Sequence, residues 1–148
     1  MNRYYIATER ADLFDVNMVV VISVDVIGLL EKSQIVDAFH LAVNTHEILR
    51  MHVVIDENGE SYYENCEESN NKIWFSEQSI SEIINEQERI RFQIENGEFL
   101  RVVVNYSSEK STITFLMHHL AGDGKSLVYF IESFMKALTK QEIEFISM

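Results

Sequence analysis

The chain of 148 residues contains no proline, one cysteine and few basic residues. With Cys66 alone, neither an internal disulfide nor a thiolate metal cluster can form, which suits a reducing compartment. The 12 Lys and Arg residues against 24 Asp and Glu residues leave a formal charge of -12. Nucleic acid is therefore excluded as an expected partner, because phosphate binding needs clustered basic residues. The missing proline indicates nothing about function.

Long hydrophobic runs are also missing. The first residues, Met1–Tyr5, lack the apolar core of a signal peptide. The most apolar segment, Met18–Leu30, is interrupted by Ser23, Asp25 and Gly28 and is too short to span a bilayer. We therefore expect no membrane span and a cytoplasmic location.

Length and periodicity predict one α+β domain over residues 1–148. Asn17–Val26 is rich in β-branched residues and predicts a strand that is buried on both faces. Apolar residues at helical spacing predict a helix over Ser33–Thr45, with Ser33 as its cap. Turns are expected at Glu57–Glu60 and Asn96–Gly97. The other predicted elements are strands at Met51–Ile55, Ser61–Glu64, Ile73–Phe75, Phe99–Tyr106 and Ser111–His118, a short helix at Ser79–Glu88 and a long helix at Asp123–Leu138.

Met117–Gly124, which reads MHHLAGDG, joins the last predicted strand to the last predicted helix. Histidine titrates near neutrality, so a histidine at a strand end can serve as a general base. Strand alternation places His118 on the face of Leu116 and, if the strand continues, His119 on the face of Met117. The two rings then point in opposite directions, so they cannot easily share a metal, and only one can reach a given substrate.

Several interpretations of this segment stay open on the residues alone. Asp123 can cap the helix or pair with a basic side chain, and Gly124 removes a Cβ where the chain turns. A metal site at His118, His119 and Asp123 would need distortion. A phosphate loop at Gly122–Ser126 fails, because that motif needs glycine where His119 stands. The histidines can also be satisfied polar residues at a strand end.

Three segments carry a family resemblance. The HHxxxDG pattern of His118–Gly124 resembles the signature of the CoA-dependent acyltransferase superfamily, which includes condensation domains of peptide synthetases and chloramphenicol acetyltransferase. His46–Arg50 resembles the HExLR core of a second condensation-domain motif and follows the first helix, as expected. Gly97–Val102 is similar to the Gly-Pro-Leu-Leu-Arg segment before the histidine hairpin. In this order, the segments make the chain resemble the N-terminal half of such an enzyme.

The resemblance implies a chloramphenicol acetyltransferase-like half domain, a layered mixed β-sheet with helices on one face. It implies transfer of an acyl group from a CoA or carrier-protein phosphopantetheine thioester to a hydroxyl or amine. His119 would be the general base, and His118 and Gly124 would support it. Asp123 would brace the loop through an ion pair with Arg50. No permanently bound cofactor and no metal are implied.

The sequence also departs from the family. It lacks the Ser-x-Ala-Gln-x-Arg pattern of condensation domains, and family members are longer, with a substrate tunnel between two similar halves. Three hypotheses follow. The missing C-terminal half belongs to a longer or separate chain, a homo-oligomer completes the site, or the chain is a non-catalytic half domain that acts as a binding or interaction module. In the first two, the partners are an acyl thioester and a small-molecule acceptor.

Overall fold

The structure is a computed structural model that describes residues 3–6, 18–140 and 146. Within these residues it contains seven strands, three α-helices and three short 3-10 turns. The strands are β1 (Arg3–Tyr5), β2 (Val19–Ile27), β3 (Met51–Ile55), β4 (Ser61–Asn65), β5 (Lys72–Phe75), β6 (Leu100–Asn105) and β7 (Lys110–His118). The helices are α1 (Lys32–Thr45), α2 (Ile80–Gln87) and α3 (Gly124–Leu138), and the 3-10 turns are Glu47–Arg50, Ile94–Asn96 and His119–Ala121.

Strands β2, β7, β6 and β5 form a four-stranded sheet in that order. Strand β7 is antiparallel to both β2 and β6, whereas β5 is parallel to β6, so the sheet is mixed. The predicted hairpin is confirmed, with Leu100 opposite Met117 and Asn105 opposite Thr112. Strands β6 and β7 lie inside the sheet and are covered on both faces, which explains their nearly continuous burial.

Strand β2 lies at the edge of this sheet, which corrects one expectation. The strand itself is confirmed, but its side chains are half-buried or exposed rather than buried on both faces. A run of β-branched residues favours a strand in either position, and only pairing decides whether the strand is central or at an edge.

Strands β1, β4 and β3 form a second, antiparallel sheet. The predicted hairpin between β3 and β4 is confirmed. At its turn, the Asp56 carboxylate accepts hydrogen bonds from the backbone N–H groups of Asn58 and Glu60, at 2.9 and 3.0 Å. Gly59 adopts the positive φ of 78° that such turns require. Strand β1 was not predicted, because three residues are too few to show a period.

Helices α1 and α3 pack against each other on one face of the four-stranded sheet. Phe115 of β7 contacts Phe130 and Phe134 of α3, with ring centroids 6.1 and 5.5 Å apart. All three rings are fully buried. Both long helices occur where periodicity predicts them, and they form the predicted helical layer.

The start of α1 corrects the predicted cap. Glu31, not Ser33, is the N-cap, and it forms a capping box with Gln34. Glu31 accepts from the backbone of Gln34 while its own N–H donates to the Gln34 side chain. Ser33 lies within the first turn of the helix.

The short helix α2 is confirmed and lies by the other face of the sheet. Ser79 caps it by accepting from the N–H of Glu82, and its last carbonyl, at Gln87, accepts from Arg101 of β6.

The α+β fold class is confirmed by the mixed sheet, the second sheet and the helical layer. Within the described residues, no helix is both long and apolar enough to cross a bilayer.

Candidate functional site

The predicted junction between strand and helix is confirmed at residues 117–124. Strand β7 ends at His118, a 3-10 turn covers His119–Ala121 and α3 begins at Gly124. The junction therefore begins at the end of a buried central strand, which holds it in a defined position.

Main-chain hydrogen bonds tie both histidines to the neighbouring strands. The N–H of His118 donates to the carbonyl of Phe99 over 2.8 Å, and the N–H of His119 donates to the carbonyl of Met18 over 2.9 Å. The backbone of the pair is thus held from the β6 side and from the β2 side. Such two-sided support limits the movement of the backbone at this position.

Gly122 is the glycine that the turn requires. Its φ is +149°, and a Cβ at this position would lie 2.4 Å from Cβ and Oγ of Ser126. Gly124, to which the sequence analysis gave this task, begins α3 in an ordinary backbone conformation, and a Cβ there would meet nothing closer than 3.9 Å. The predicted position of the turn glycine was therefore wrong by two residues, whereas a supporting role for Gly124 in the site stays a prediction.

Asp123 caps helix α3. One carboxylate oxygen, Oδ1, accepts from the N–H of Ser126 at 3.1 Å and from the Ser126 hydroxyl at 3.3 Å. The backbone hydrogen bond from Ser126 lowers the pKa of the Asp123 carboxyl below its usual value. Of the two roles considered for Asp123, the structure contains the cap.

The expected ion pair between Arg50 and Asp123 is not formed between these two described residues, which corrects that prediction. Arg50 is exposed at the end of its 3-10 turn and borders a surface depression with Asn44 and Asn65. Asp123 lies at the start of α3 and uses its carboxylate for the cap. A supporting role for Arg50 stays a prediction.

His118 is 2% exposed, and its ring is held on two sides. The rings of His118 and Phe92 make a T-shaped contact, with their centroids 5.8 Å apart. The Nδ1 of His118 accepts a hydrogen bond from the N–H of Leu120 at 3.1 Å. Because Nδ1 is the acceptor, the neutral ring carries its proton on Nε2. This bond also makes His118 the cap of the turn that contains His119.

His119 is half-buried and is thus the more accessible of the two histidines. The strand ends at His118, so strand alternation does not extend to His119, whose backbone begins the 3-10 turn. The prediction that only His119 serves as base stays a prediction. In the described part of the chain, no three His, Cys, Asp or Glu side chains form a metal-binding group, and this holds for His118, His119 and Asp123.

The His46–Arg50 segment is largely buried. His46 is 4% exposed, packs on Phe130 and has its Nε2 3.0 Å from the hydroxyl of Ser133 on α3. Burial lowers the pKa of His46 to about 4, so its ring is neutral at pH 7. The side chain therefore joins the end of α1 to α3.

The His46–Arg50 segment and the junction at residues 117–124 both border one cavity of about 330 Å³. His46 borders it from one segment, and Leu120, Gly122 and Ser126 border it from the other. The Tyr63 hydroxyl, from β4, donates to the carbonyl of Leu120 at 2.6 Å. Segments far apart in the sequence, at His46, Tyr63 and Leu120, are thus brought together at the turn after His118.

Three residues that pack behind His118 were not predicted as site residues: Glu98, Arg101 and Phe92. Two clues were available in the sequence. Both Glu98 and Arg101 lie in the Gly97–Val102 segment, which resembles the Gly-Pro-Leu-Leu-Arg segment of the family, and they are opposite charges three residues apart in an otherwise apolar stretch. In the register of the structure Arg101 lies opposite Leu116, so strand alternation places it on the His118 side of the sheet.

A family model described as "Condensation domain" matches residues 15–144 of this chain. No curated protein matches the sequence. The family match covers most of the chain, including the three motif segments.

Solved structures with the same fold include the condensation domain from Monacolin K polyketide synthase MokA, with a TM-score of 0.81 and 11% identity over 100% of this chain. The starter condensation domain of rhizomide synthetase RzmA has a TM-score of 0.79 and 8% identity over 99%. The epimerization domain from the third module of tyrocidine synthetase B, TycB3(E), has a TM-score of 0.71 and 18% identity over 97%. This chain spans 37%, 43% and 37% of those chains, respectively. At such identities the likeness shows the fold alone.

Proposed function

The chain belongs to the condensation-domain family, and from this premise we propose that it carries the base-bearing half of an acyl-transfer site. His119 is the general base in this proposal. The observation that carries it is the half-buried His119, on a turn that a buried strand, the Gly122 backbone and the Asp123 cap hold in place. His118 supports it by capping the turn.

In the proposed reaction, an amine or hydroxyl attacks the carbonyl carbon of an acyl thioester. His119 takes the proton of the attacking group as the new C–N or C–O bond forms. The C–S bond then breaks, and the leaving thiolate receives that proton. The reaction needs no redox partner and no permanently bound cofactor, and the acyl carrier is CoA or a carrier-protein phosphopantetheine.

The second half of the substrate tunnel has to come from elsewhere. The chain spans 37–43% of the solved structures described above, so we propose that residues 1–148 correspond to the N-terminal half of a two-half enzyme. A longer polypeptide, a separate chain or a second copy of this chain supplies the other half. Light scattering of the purified chain distinguishes a monomer from a closed oligomer.

Turnover tests the proposal directly. Acyl transfer is measured with CoA and carrier-protein thioesters as donors and with amines and alcohols as acceptors. Loss of a general base lowers the rate by about 100- to 10,000-fold, so we expect His119→Ala to do so. The matched control is His40→Ala, an exposed histidine of α1, which should keep the wild-type rate. Full activity in His119→Ala would contradict the assignment of the base.

The second candidate is a non-catalytic binding or interaction module. This candidate predicts that the chain binds an acyl thioester without turning it over, both alone and with a second-half partner. Calorimetric titration with a non-hydrolysable acyl-CoA analogue, alongside the turnover assay, separates the two candidates. Measurable turnover that depends on His119 excludes the module.

A further inference from the structure

A buried ion pair lies behind the histidines, on the sheet face opposite α1 and α3. The side chains of Glu98 and Arg101 are 0% and 3% exposed. They form a forked contact, with Arg101 Nη2 3.0 Å from Glu98 Oε1 and Nε 3.2 Å from Oε2. Lys72 adds a third contact at 2.8 Å. Burial by itself would raise the pKa of the Glu98 carboxyl, but these hydrogen bonds outweigh burial and hold it below the usual value.

Arg101 uses its other donors on the chain segment that leads to Phe92. Its Nη1 donates to the carbonyls of Ile90 at 2.8 Å and Gln87 at 3.2 Å, and its Nη2 donates to the carbonyl of Arg91 at 2.9 Å. Its guanidinium also stacks over the ring of Phe92, 3.8 Å from the centroid. One side chain therefore holds both the backbone and the ring at this position.

Phe92 connects Arg101 to the histidines through ring contacts. It is 1% exposed and meets the His118 ring, which in turn accepts from the N–H of Leu120. Leu120 is the residue after His119 in the same 3-10 turn. A contiguous set of buried groups thus connects Glu98 to the turn.

We propose that Arg101, held by Glu98, is a positioning residue for the histidine pair. It fixes Phe92, and Phe92 fixes the orientation of the His118 ring. That orientation places Nδ1 where it accepts from the N–H of Leu120, which sets the tautomer, and His118 in turn fixes the turn that presents His119. An apolar set of similar volume would often be equally stable, so the forked geometry matters here for orientation. The catalytic consequence rests on the proposed function of His119, whereas the orientation of His118 does not.

Ring nitrogen resonances of ¹⁵N-histidine-labelled protein test the orientation without any assay of activity. In the wild type, His118 should show one tautomer, with Nδ1 unprotonated and Nε2 protonated. Phe92→Leu removes the ring edge and the cation–π contact but keeps an apolar side chain. It should give a second tautomer or an exchange-broadened His118 signal, and a shifted Leu120 amide.

Phe134→Leu is the matched control, because Phe134 is equally buried but lies on the opposite face of the sheet. It should leave the His118 signature unchanged. Arg101→Lys keeps the charge but loses the fork, and it should resemble Phe92→Leu. An unchanged His118 tautomer in folded Phe92→Leu protein would overturn the proposal, even if Arg101→Lys does not fold.

Kinetics then separate this inference from the proposed function. In an active preparation, Phe92→Leu should lower kcat by up to about 100-fold with KM close to the wild-type value, the scale expected for a slightly misplaced catalytic group. An equal loss of kcat in Phe134→Leu would contradict a positioning role. Absence of turnover in every preparation contradicts the proposed function alone, because the tautomer measurement still decides the orientation of His118.

Discussion

The two faces of the four-stranded sheet are buried by different means. On the helical face, Phe115 packs against Phe130 and Phe134 in an apolar layer. On the other face, Glu98 and Arg101 form a buried ion pair that supports the ring next to His118. Both faces border the junction between β7 and α3, at residues 118–124.

This difference indicates that one face mainly stabilises the fold, whereas the other mainly orients side chains. Burial of one large apolar side chain contributes about 1.5–3 kcal/mol, with little dependence on its orientation. A buried ion has to recover a desolvation penalty of several kcal/mol through well-placed partners, so it tolerates few arrangements. The helical face therefore holds the fold together, and the charged face selects one arrangement of the groups beneath the histidines.

The largest expected effect is on the helical face. Phe134→Ala should lower the free energy of unfolding by about 3–5 kcal/mol, because it removes a buried ring and leaves a cavity. Urea denaturation measures this. Val128→Ala, at a 52% exposed position of the same helix, should change stability by less than about 0.5 kcal/mol. Similar losses in both variants would mean that α3 does not pack as described.

On the charged face, Arg101→Met should cost about 3 kcal/mol, because it leaves Glu98 with Lys72 as its remaining cationic contact. The double variant Glu98→Leu with Arg101→Met removes both buried charges and should recover most of that loss. The same denaturation experiment applies. A double variant less stable than the single one would show that the pair, rather than the unpaired charge, carries the energy.

The two faces should also differ in pH dependence. His46 has a usual pKa of 6.5 that burial lowers to about 4, so its stabilising effect is complete above pH 6.5 and is lost as pH falls towards 4. The loss should reach about 3 kcal/mol. Glu98 also has a lowered pKa, so its contribution is lost at still lower pH, as its carboxyl protonates. Between pH 7 and pH 5, above the range in which carboxyls protonate, unfolding free energies should fall in the wild type and fall much less in His46→Gln.

At the junction where both faces end, Gly122→Ala should cost about 1–3 kcal/mol through backbone strain and the contact with Ser126. Gly59→Ala is the matched control, because its φ is +78° but a Cβ there meets nothing within 4 Å. Thermal unfolding should show the larger loss for Gly122→Ala. Equal losses would mean that strain alone, without the contact, decides the effect.

Local patterns predicted most of the fold. The hairpin of β6 and β7, the turn at Gly59 and helices α1 and α3 follow from periodicity and turn chemistry over a few residues. The burial of β2 was mispredicted, because an edge strand and a central strand can share the same composition. The cap of α1 was misplaced from Glu31 to Ser33, because both residues can accept a backbone hydrogen bond.

The sequence predicted only part of the site. The junction at His118 and the capping role of Asp123 depend on neighbours within three residues, so the sequence indicated them. The need for glycine at Gly122 depends on the backbone conformation and on Ser126, and it was assigned to Gly124 instead. The expected pairing of Asp123 with Arg50 depended on long-range positions, and in the structure the Asp123 carboxylate caps α3 instead.

The sequence alone was enough for the longer strands and the helices, the two adjacent histidines at a strand end and the family, because these depend on order and spacing along the chain. The tertiary structure decided that His118 is buried while His119 stays accessible, and that Glu98 and Arg101 stand behind them. Those properties arise from strands and loops packed across the sheet. The environment of a side chain depends on such neighbours, whatever their separation in sequence.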